Sequence, residues 1–302
     1  MKNSSTPIKG TENDKSGYIQ AFFAYVIWGF LPIYWKFLKH IMPLQIMINR
    51  IIWCFVFLFI ITLIKKKNAF VYLKNFKTLM IITAASIMLS VNWFIYIFAV
   101  NSGRILEASM GYYINPLVSI ALGLIVFREK LNRLQSIALA FASAGVLYMT
   151  IDYGKFPYIS VFLAVSFALY GLFKKYFSLD SLTGLMTETM TMTPIGVAVI
   201  IYFQFKGTNS LFTVSPLTDL LLIGAGVVTA VPLLLFAEGA KKIPLSSIGF
   251  LQYIAPTLML LTGVFIYGEE FTISHLITFS FIWTGLAIYT YSLIKPKKKI
   301  KV

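Results

Sequence analysis

Residues 104–131, RILEASMGYYINPLVSIALGLIVFREKL, recur in displaced form at residues 244–271, PLSSIGFLQYIAPTLMLLTGVFIYGEEF. Sliding the first stretch by 140 positions brings Tyr113 onto Tyr253, Ile114 onto Ile254, Pro116 onto Pro256, Gly123 onto Gly263 and Glu129 onto Glu269 without a gap. The register continues through Ile137 on Ile277, Phe141 on Phe281, Gly145 on Gly285 and Thr150 on Thr290. Apolar sequences share single residues by chance. A Y-I-x-P core at a fixed distance from a terminal Glu is harder to obtain that way, so the chain reads as a tandem repeat of two halves.

Outward from this pair, 58% of the 302 residues are hydrophobic and 12% are charged, and the mean hydropathy is +0.81. Soluble domains carry about 25% charged residues, so the composition is that of a polytopic membrane protein. The net charge of +15 does not indicate nucleic acid, because the lysines cluster between apolar runs of about 20 residues, each long enough to cross a ~30 Å hydrocarbon core. Cys54 is the one cysteine, which excludes an intrachain disulfide and a cysteine-based metal site. His40 and His275 stand apart with no metal-ligand spacing, and no metal or cofactor is expected. Nothing resembles a P-loop, a GxSxG elbow or a carboxylate pair, so an ATP-driven pump is not supported.

Ten spans are predicted: 18–37, 43–64, 78–101, 106–127, 134–151, 156–174, 182–205, 216–240, 246–268 and 272–294. They make an all-α fold of two five-helix halves, residues 17–152 and 153–294, with a disordered tail at 1–16 and a basic tail at 295–302. With the N-terminus in the cytoplasm, 20 of the 26 Lys and Arg fall on the inside and five on the outside, with Arg50 within a span. This bias places both termini inside. Five spans per half is an odd number, so the second half enters the bilayer inverted. The matched turns agree: R-E-K-L-N-R keeps its cations on the inside, while G-E-E-F-T-I keeps the Glu and loses them. Inverted repeats are a construction of secondary transporters that bind substrate near the midplane.

Charges inside spans are expensive, roughly 2.5–3.5 kcal/mol at a helix centre on insertion scales. Arg50 in the second span and Glu188 in the seventh occupy equivalent helices at similar depths, each ~10 Å in at 1.5 Å per residue. They are expected to flank a central cavity, Arg50 receiving a carboxylate and Glu188 an ammonium or a proton. Glu107 is a second candidate proton carrier. Polar and aromatic positions expected to contact the solute are Trp28, Asn49, Asn92, Trp93, Tyr96, Tyr113, Asn115, Tyr170, Gln252 and Tyr253. The remaining Phe and Tyr are read mainly as lipid-facing or interfacial. Pro32, Pro116, Pro232 and Pro256 lie inside spans and should act as kinks. Pro116 and Pro256 free the carbonyls of Tyr112 and Gln252 at matching depths, a pattern suited to paired bends lining one cavity.

The strings Y-V-I-W-G-F-L-P-I-Y-W-K at 25–36, N-R-I-I-W at 49–53, L-E-A-S-M-G-Y-Y-I-N-P-L-V at 106–118, L-Y-G-L at 169–172, E-T-M at 188–190, V-P-L-L at 231–234 and G-F-L-Q-Y-I-A-P-T-L at 249–258 resemble the RarD-type members of the EamA branch of the drug/metabolite transporter superfamily. The resemblance covers residues 17–294. It implies two inverted five-helix repeats around a substrate cavity, in a bacterial inner membrane. One departure is the turn at 128–130, where Arg128 stands in place of a family Gly. The leading expectation is a secondary transporter or exchanger of a small polar or zwitterionic metabolite, such as an amino acid or S-adenosylmethionine, as a monomer or homodimer in the lipid bilayer. The alternatives are an exporter of chloramphenicol-like drugs, a membrane scaffold and a membrane-embedded enzyme.

Overall fold

The computed structural model describes residues 12–68, 70–101, 105–177, 179–268 and 271–294. Hydrocarbon offers the backbone no partner, so each apolar run closes its hydrogen bonds within itself as a helix. The helices are α1 (Glu12–Phe37), α2 (Pro43–Ile64), α3 (Phe76–Asn101), α4 (Ile105–Val126), α5 (Arg133–Asp152), α6 (Tyr158–Phe177), α7 (Ser181–Phe205), α8 (Pro216–Lys242), α9 (Leu245–Gln252), α10 (Ile254–Tyr267) and α11 (Ile273–Ile294). With α9 and α10 forming one span, ten segments are long and apolar enough to cross a membrane.

Short polar residues in the turns start several of these helices. Asn132 and Gln135 exchange side-chain and backbone hydrogen bonds in a capping box at α5. Asp180 accepts from the Thr183 backbone N–H at α7, and Ser215 does so from Thr218 at α8, where Pro216 fills the first helical position. Each such cap is worth about 1 kcal/mol.

The two halves pack as an inverted pair. Exchanging each first-half helix for its counterpart turns the α1·α8 contact into α6·α3, α4·α6 into α10·α1, and α2·α8 into α7·α3. All of these contacts occur, and α2·α7, α4·α9 and α5·α11 pair across the axis itself. At the last of these, a Cβ on Gly145 would lie 2.8 Å from the Thr278 carbonyl and 3.0 Å from Phe281 Cβ. One on Gly285 would lie 2.8 Å from the Ala138 carbonyl and 3.5 Å from Phe141 Cβ. The six positions map onto one another in three pairs by the 140-residue shift, and the Phe141 and Phe281 ring centres lie 6.0 Å apart. The repeat seen in sequence is thus a reciprocal contact in space.

The halves differ in two places. Pro116 leaves α4 continuous, whereas the segment around Pro256 breaks at Tyr253, whose N–H turns back to the Phe250 carbonyl. Gly249, four residues before the break, occupies the place that Ser109 holds in α4, and its backbone is pressed against the Pro116 carbonyl. Glycine weakens a helix by about 1 kcal/mol relative to alanine, but Gly111 sits inside the continuous α4, so glycine alone does not account for the break. At the other end of the same helices, Arg128 has φ +52° where its counterpart Gly268 has φ +67°. Both are left-handed, but only glycine adopts that conformation without strain. Glu269, the partner of Glu129 in the repeat, lies outside the described residues.

Large aromatic side chains fill the interior near α1, α6 and α8, where Tyr25, Tyr170 and Phe236 are fully buried. The outer surface carries exposed Phe22, Phe94, Phe162, Phe205 and Phe265, as suits helices surrounded by lipid.

Candidate substrate cavity

Side chains from both halves enclose a cavity of about 370 Å³ that runs from mid-bundle to the α1–α2 turn, where Trp35 and Pro43 stand at its rim. Its position follows from the packing. Gly226 of α8 brings that helix against the Trp53 and Cys54 backbone of α2, and α1 lies against α8 and α10. The space left between these tight pairs and α3, α4 and α6 is the cavity.

Arg50 is its one formally charged wall residue among the described residues. Its Nε donates to Thr229 Oγ1 at 3.1 Å, and its guanidinium lies over the Trp35 ring at 4.7 Å and the Trp93 ring at 4.8 Å. No described carboxylate forms an ion pair with it. The ionisable side chains close enough to act on its charge are Tyr112, Cys54 and Tyr96, all ordinarily neutral near pH 7. Asn92 spends its amide nitrogen on the Leu163 carbonyl at 2.8 Å and Ser166 Oγ at 3.1 Å. Asn115 accepts from Ser119 at 3.4 Å, and its amide N–H groups remain for a solute. Tyr96 and Tyr112 pack edge to face, 6.3 Å between ring centres.

Trp28, Arg50, Asn92, Trp93, Tyr96, Asn115 and Gln252 therefore line one cavity, together with Pro32 and Pro256. The structure does not bring the other expected residues there. Asn49 is buried on the neighbouring face of α2 and donates to the Gln45 carbonyl at 2.9 Å. Tyr113 and Tyr253 pack with Phe279 and Ile282 in a separate cluster beside the α5·α11 contact. Pro116 and Pro232 are buried away from the cavity. Glu107 bonds Tyr153 Oη at 3.1 Å, and its backbone carbonyl accepts from Ser160.

Tyr170 and Glu188 belong to a layer beneath the cavity. Trp28 and Phe167 close the floor, each about 5.6–5.7 Å from Phe236, and Tyr170 stacks on Phe236 at 6.0 Å. Tyr170 Oη then donates to Glu188 at 3.2 Å, and the other carboxylate oxygen of Glu188 is held by Lys174. The expectation that Arg50 and Glu188 face one another across one space is not what the packing produces, because Lys174, one turn from Tyr170, reaches Glu188 first. A small cavity of about 20 Å³, room for about one water molecule, borders Glu188, Lys174, Asp180 and Lys241 on the far side.

Polar links continue to the α2–α3 end of the bundle. Glu129 accepts the backbone N–H groups of Leu245 and Ser246 at 2.7 and 2.8 Å, neutralising the positive N-terminus of α9, and lies 3.9 Å from Lys175. Lys67 pairs with Asp180 at 2.5 Å. Lys241 and Lys242 reach Glu238 at 2.8 and 3.8 Å. One end of the bundle is open to the cavity, and the other is closed by aromatic rings backed by ion pairs.

Sequence reading missed Trp35, Thr229, Phe167 and the closing role of Glu129. A Trp near a span end reads as an interfacial anchor, and a Thr in V-T-A-V carries no mark. Gly226, one turn before Thr229, was the available signal, since a glycine deep in a span indicates close helix approach.

Two inverted five-helix halves around a cavity closed at one end define a multi-pass membrane transporter of the drug/metabolite type. The family model described as "EamA-like transporter family" matches the chain twice, over residues 15–151 and 156–291. The chain belongs to this family and, within it, to the RarD type. It is 47% identical over 293 residues to "Uncharacterized transporter YojE" of Bacillus subtilis (strain 168), covering 95% of this chain and 97% of that protein. It is 38% identical over 290 residues to "Protein RarD" of Escherichia coli (strain K12), covering 94% and 97%. "Chloramphenicol-sensitive protein RarD" of Pseudomonas aeruginosa is 27% identical over 280 residues, covering 90% and 92%. A solved crystal structure at 17% identity superposes with a TM-score of 0.73 over 93% of this chain and 99% of that one, which shows the fold. The chain is a transporter, not an enzyme.

Proposed function

We propose that the protein is a secondary active transporter or exchanger that carries a small polar metabolite across the bacterial cytoplasmic membrane by alternating access, with both termini inside. The observation that carries this reading is the cavity's asymmetry: an open path from the α1–α2 turn to Arg50, and a closed aromatic and ionic layer on the opposite side. In an inverted repeat, exchanging the conformations of the two halves would open the closed end and close the open one. The positive-inside bias supports an outward-facing state, since the lysine-rich turns lie at the closed end.

Arg50 supports a solute bearing a carboxylate; amino acids and S-adenosylmethionine carry one together with an ammonium, for which the described wall residues offer no carboxylate partner, so they enter the test as comparison solutes. Glu188 is the proposed proton carrier. It stands between the cavity floor and the small cavity near the closed end, a position from which a proton could pass to that side when the layer opens. The test is flux in proteoliposomes supplied with amino acids, S-adenosylmethionine and chloramphenicol. Glu188→Gln should abolish flux driven by a pH gradient and spare solute exchange. Equal loss of both would assign Glu188 to folding or solute binding, and no flux for any solute class in a broad metabolite mixture would remove the transport reading.

A further inference from the structure

Taking the cavity to be the transport site, we infer that it selects monoanions with a flat apolar body, and that it discriminates against cations and zwitterions. Electrostatics come first. The wall holds one positive charge and no carboxylate among the described residues. Glu188, the group that could have received an ammonium, is bound to Lys174 and Tyr170 behind the floor. A cationic solute would therefore meet an unopposed guanidinium in a site of low dielectric, where like charges repel far more strongly than in water.

The aromatic residues do not rescue a cation. A cation would bind a ring face, and the two indole faces nearest the charge, those of Trp35 and Trp93, are already covered by Arg50 itself. That stacking also has a second effect. With Nε fixed on Thr229, the planar guanidinium is held between two rings, so its two terminal nitrogens present a preset fork. A carboxylate accepts from such a fork with both oxygens.

The rest of the cavity suits a flat apolar body. Trp28 and Phe167 form the floor, and Tyr96 and Tyr112 stand on another side. The volume of about 370 Å³ accommodates on the order of a dozen non-hydrogen atoms at ordinary packing density. Asn115 adds an amide N–H donor, and the Asn92 carbonyl oxygen is available to one hydroxyl or N–H of the solute.

The test uses one benzene ring carrying four side groups: phenylacetate, phenylacetamide, phenethylamine and phenylalanine, titrated calorimetrically into the full chain purified in detergent. Phenylacetate is expected to bind at least about tenfold more tightly than the neutral amide, the gain of a charge-assisted contact, and more tightly than the amine or the amino acid. Arg50→Gln should reduce the acid-over-amide ratio to within about threefold, while Arg50→Lys should keep a weakened preference. The wild-type series decides the matter even if Arg50→Gln fails to fold. Equal or tighter binding of phenylalanine or phenethylamine, or an acid preference that survives Arg50→Gln, would overturn the inference. If none of the four binds, metabolite exchange in vesicles separates the two levels. A transported zwitterion or cation overturns anion selectivity and leaves transport standing, a transported anion of another shape supports the charge selectivity but not the flat body, and no transported solute overturns both.

Discussion

The closest backbone approach bearing on the site is at Gly226, and replacing it with alanine tests how the cavity is built. A Cβ there would lie 2.3 Å from the Trp53 carbonyl carbon, 2.5 Å from its oxygen and 2.6 Å from the Cys54 nitrogen. These are backbone atoms of α2 and cannot rotate away. Since non-bonded heavy atoms settle near 3.5 Å, α8 must retreat by about 1 Å. The strain or shift costs about 1–3 kcal/mol. It also carries Thr229, three residues along, away from Arg50, stretching a 3.1 Å hydrogen bond to about 4 Å, beyond useful range. Losing a bond to a charged group adds about 1.5–3 kcal/mol. Together these correspond to a fall in Tm on the order of 5–10 °C. The readouts are thermal unfolding in detergent and the rate at which a small maleimide modifies Cys54, which is fully buried in the native packing. Gly224→Ala is the control: its Cβ would meet no backbone, only the Tyr34 hydroxyl at 2.8 Å, a side-chain end that donates to the Leu221 carbonyl and can give way where backbone cannot. Gly226→Ala should unfold earlier than Gly224→Ala and label faster at Cys54. Equal stability and equal labelling in the two variants would refute the account of α2·α8 packing.

Other outcomes follow from the same geometry. Burial alone pushes the Asp180 carboxyl up, but Lys67 and Thr183 outweigh it and hold it at about 2. Its contribution to stability is thus fully present above its unfolded value near 4 and is lost as pH falls from there through about 2. Asp180→Asn should flatten the unfolding profile in that acid window and leave the slope above pH 5 unchanged. Arg128→Gly should raise stability by about 1 kcal/mol, measured as Tm, because it relieves a left-handed side-chain residue and matches its counterpart Gly268. Lys174→Leu should destabilise by about 3–5 kcal/mol by leaving Glu188 buried and uncompensated, whereas the double variant with Glu188→Leu should recover most of that loss in the same assay.

Much of the fold was legible because membrane helices announce themselves by length and hydropathy, and because the repeat divided them into two halves of five, the second inverted. The shift aligned Gly145 with Gly285, and the structure puts both at the contact of α5 with α11. The site was half legible. Arg50, Asn92 and Trp93 stood out as polar or aromatic residues inside spans, and all reach the cavity. Tyr113 and Tyr253 were chosen by the same repeat yet pack beside the axis instead, since sequence symmetry identifies equivalent positions without saying which face of the helix they occupy. Glu188 escaped for a different reason. Its partner Lys174 lies at the end of another span, where a lysine reads as an orientation signal, and only packing shows that the two meet.

Alternating access through this cavity is tested most directly by thiol accessibility in proteoliposomes, on a Cys54→Ala background. Met47→Cys probes the cavity, and Ser246→Cys probes the closed end, where Ser246 is buried and its backbone N–H bonds Glu129. The account predicts that an impermeant maleimide modifies position 47 and spares position 246. Adding Glu129→Ala, which removes the cap on α9, should shift the population and reverse the two rates. Reactivities that stay fixed, or that rise and fall together, would contradict it.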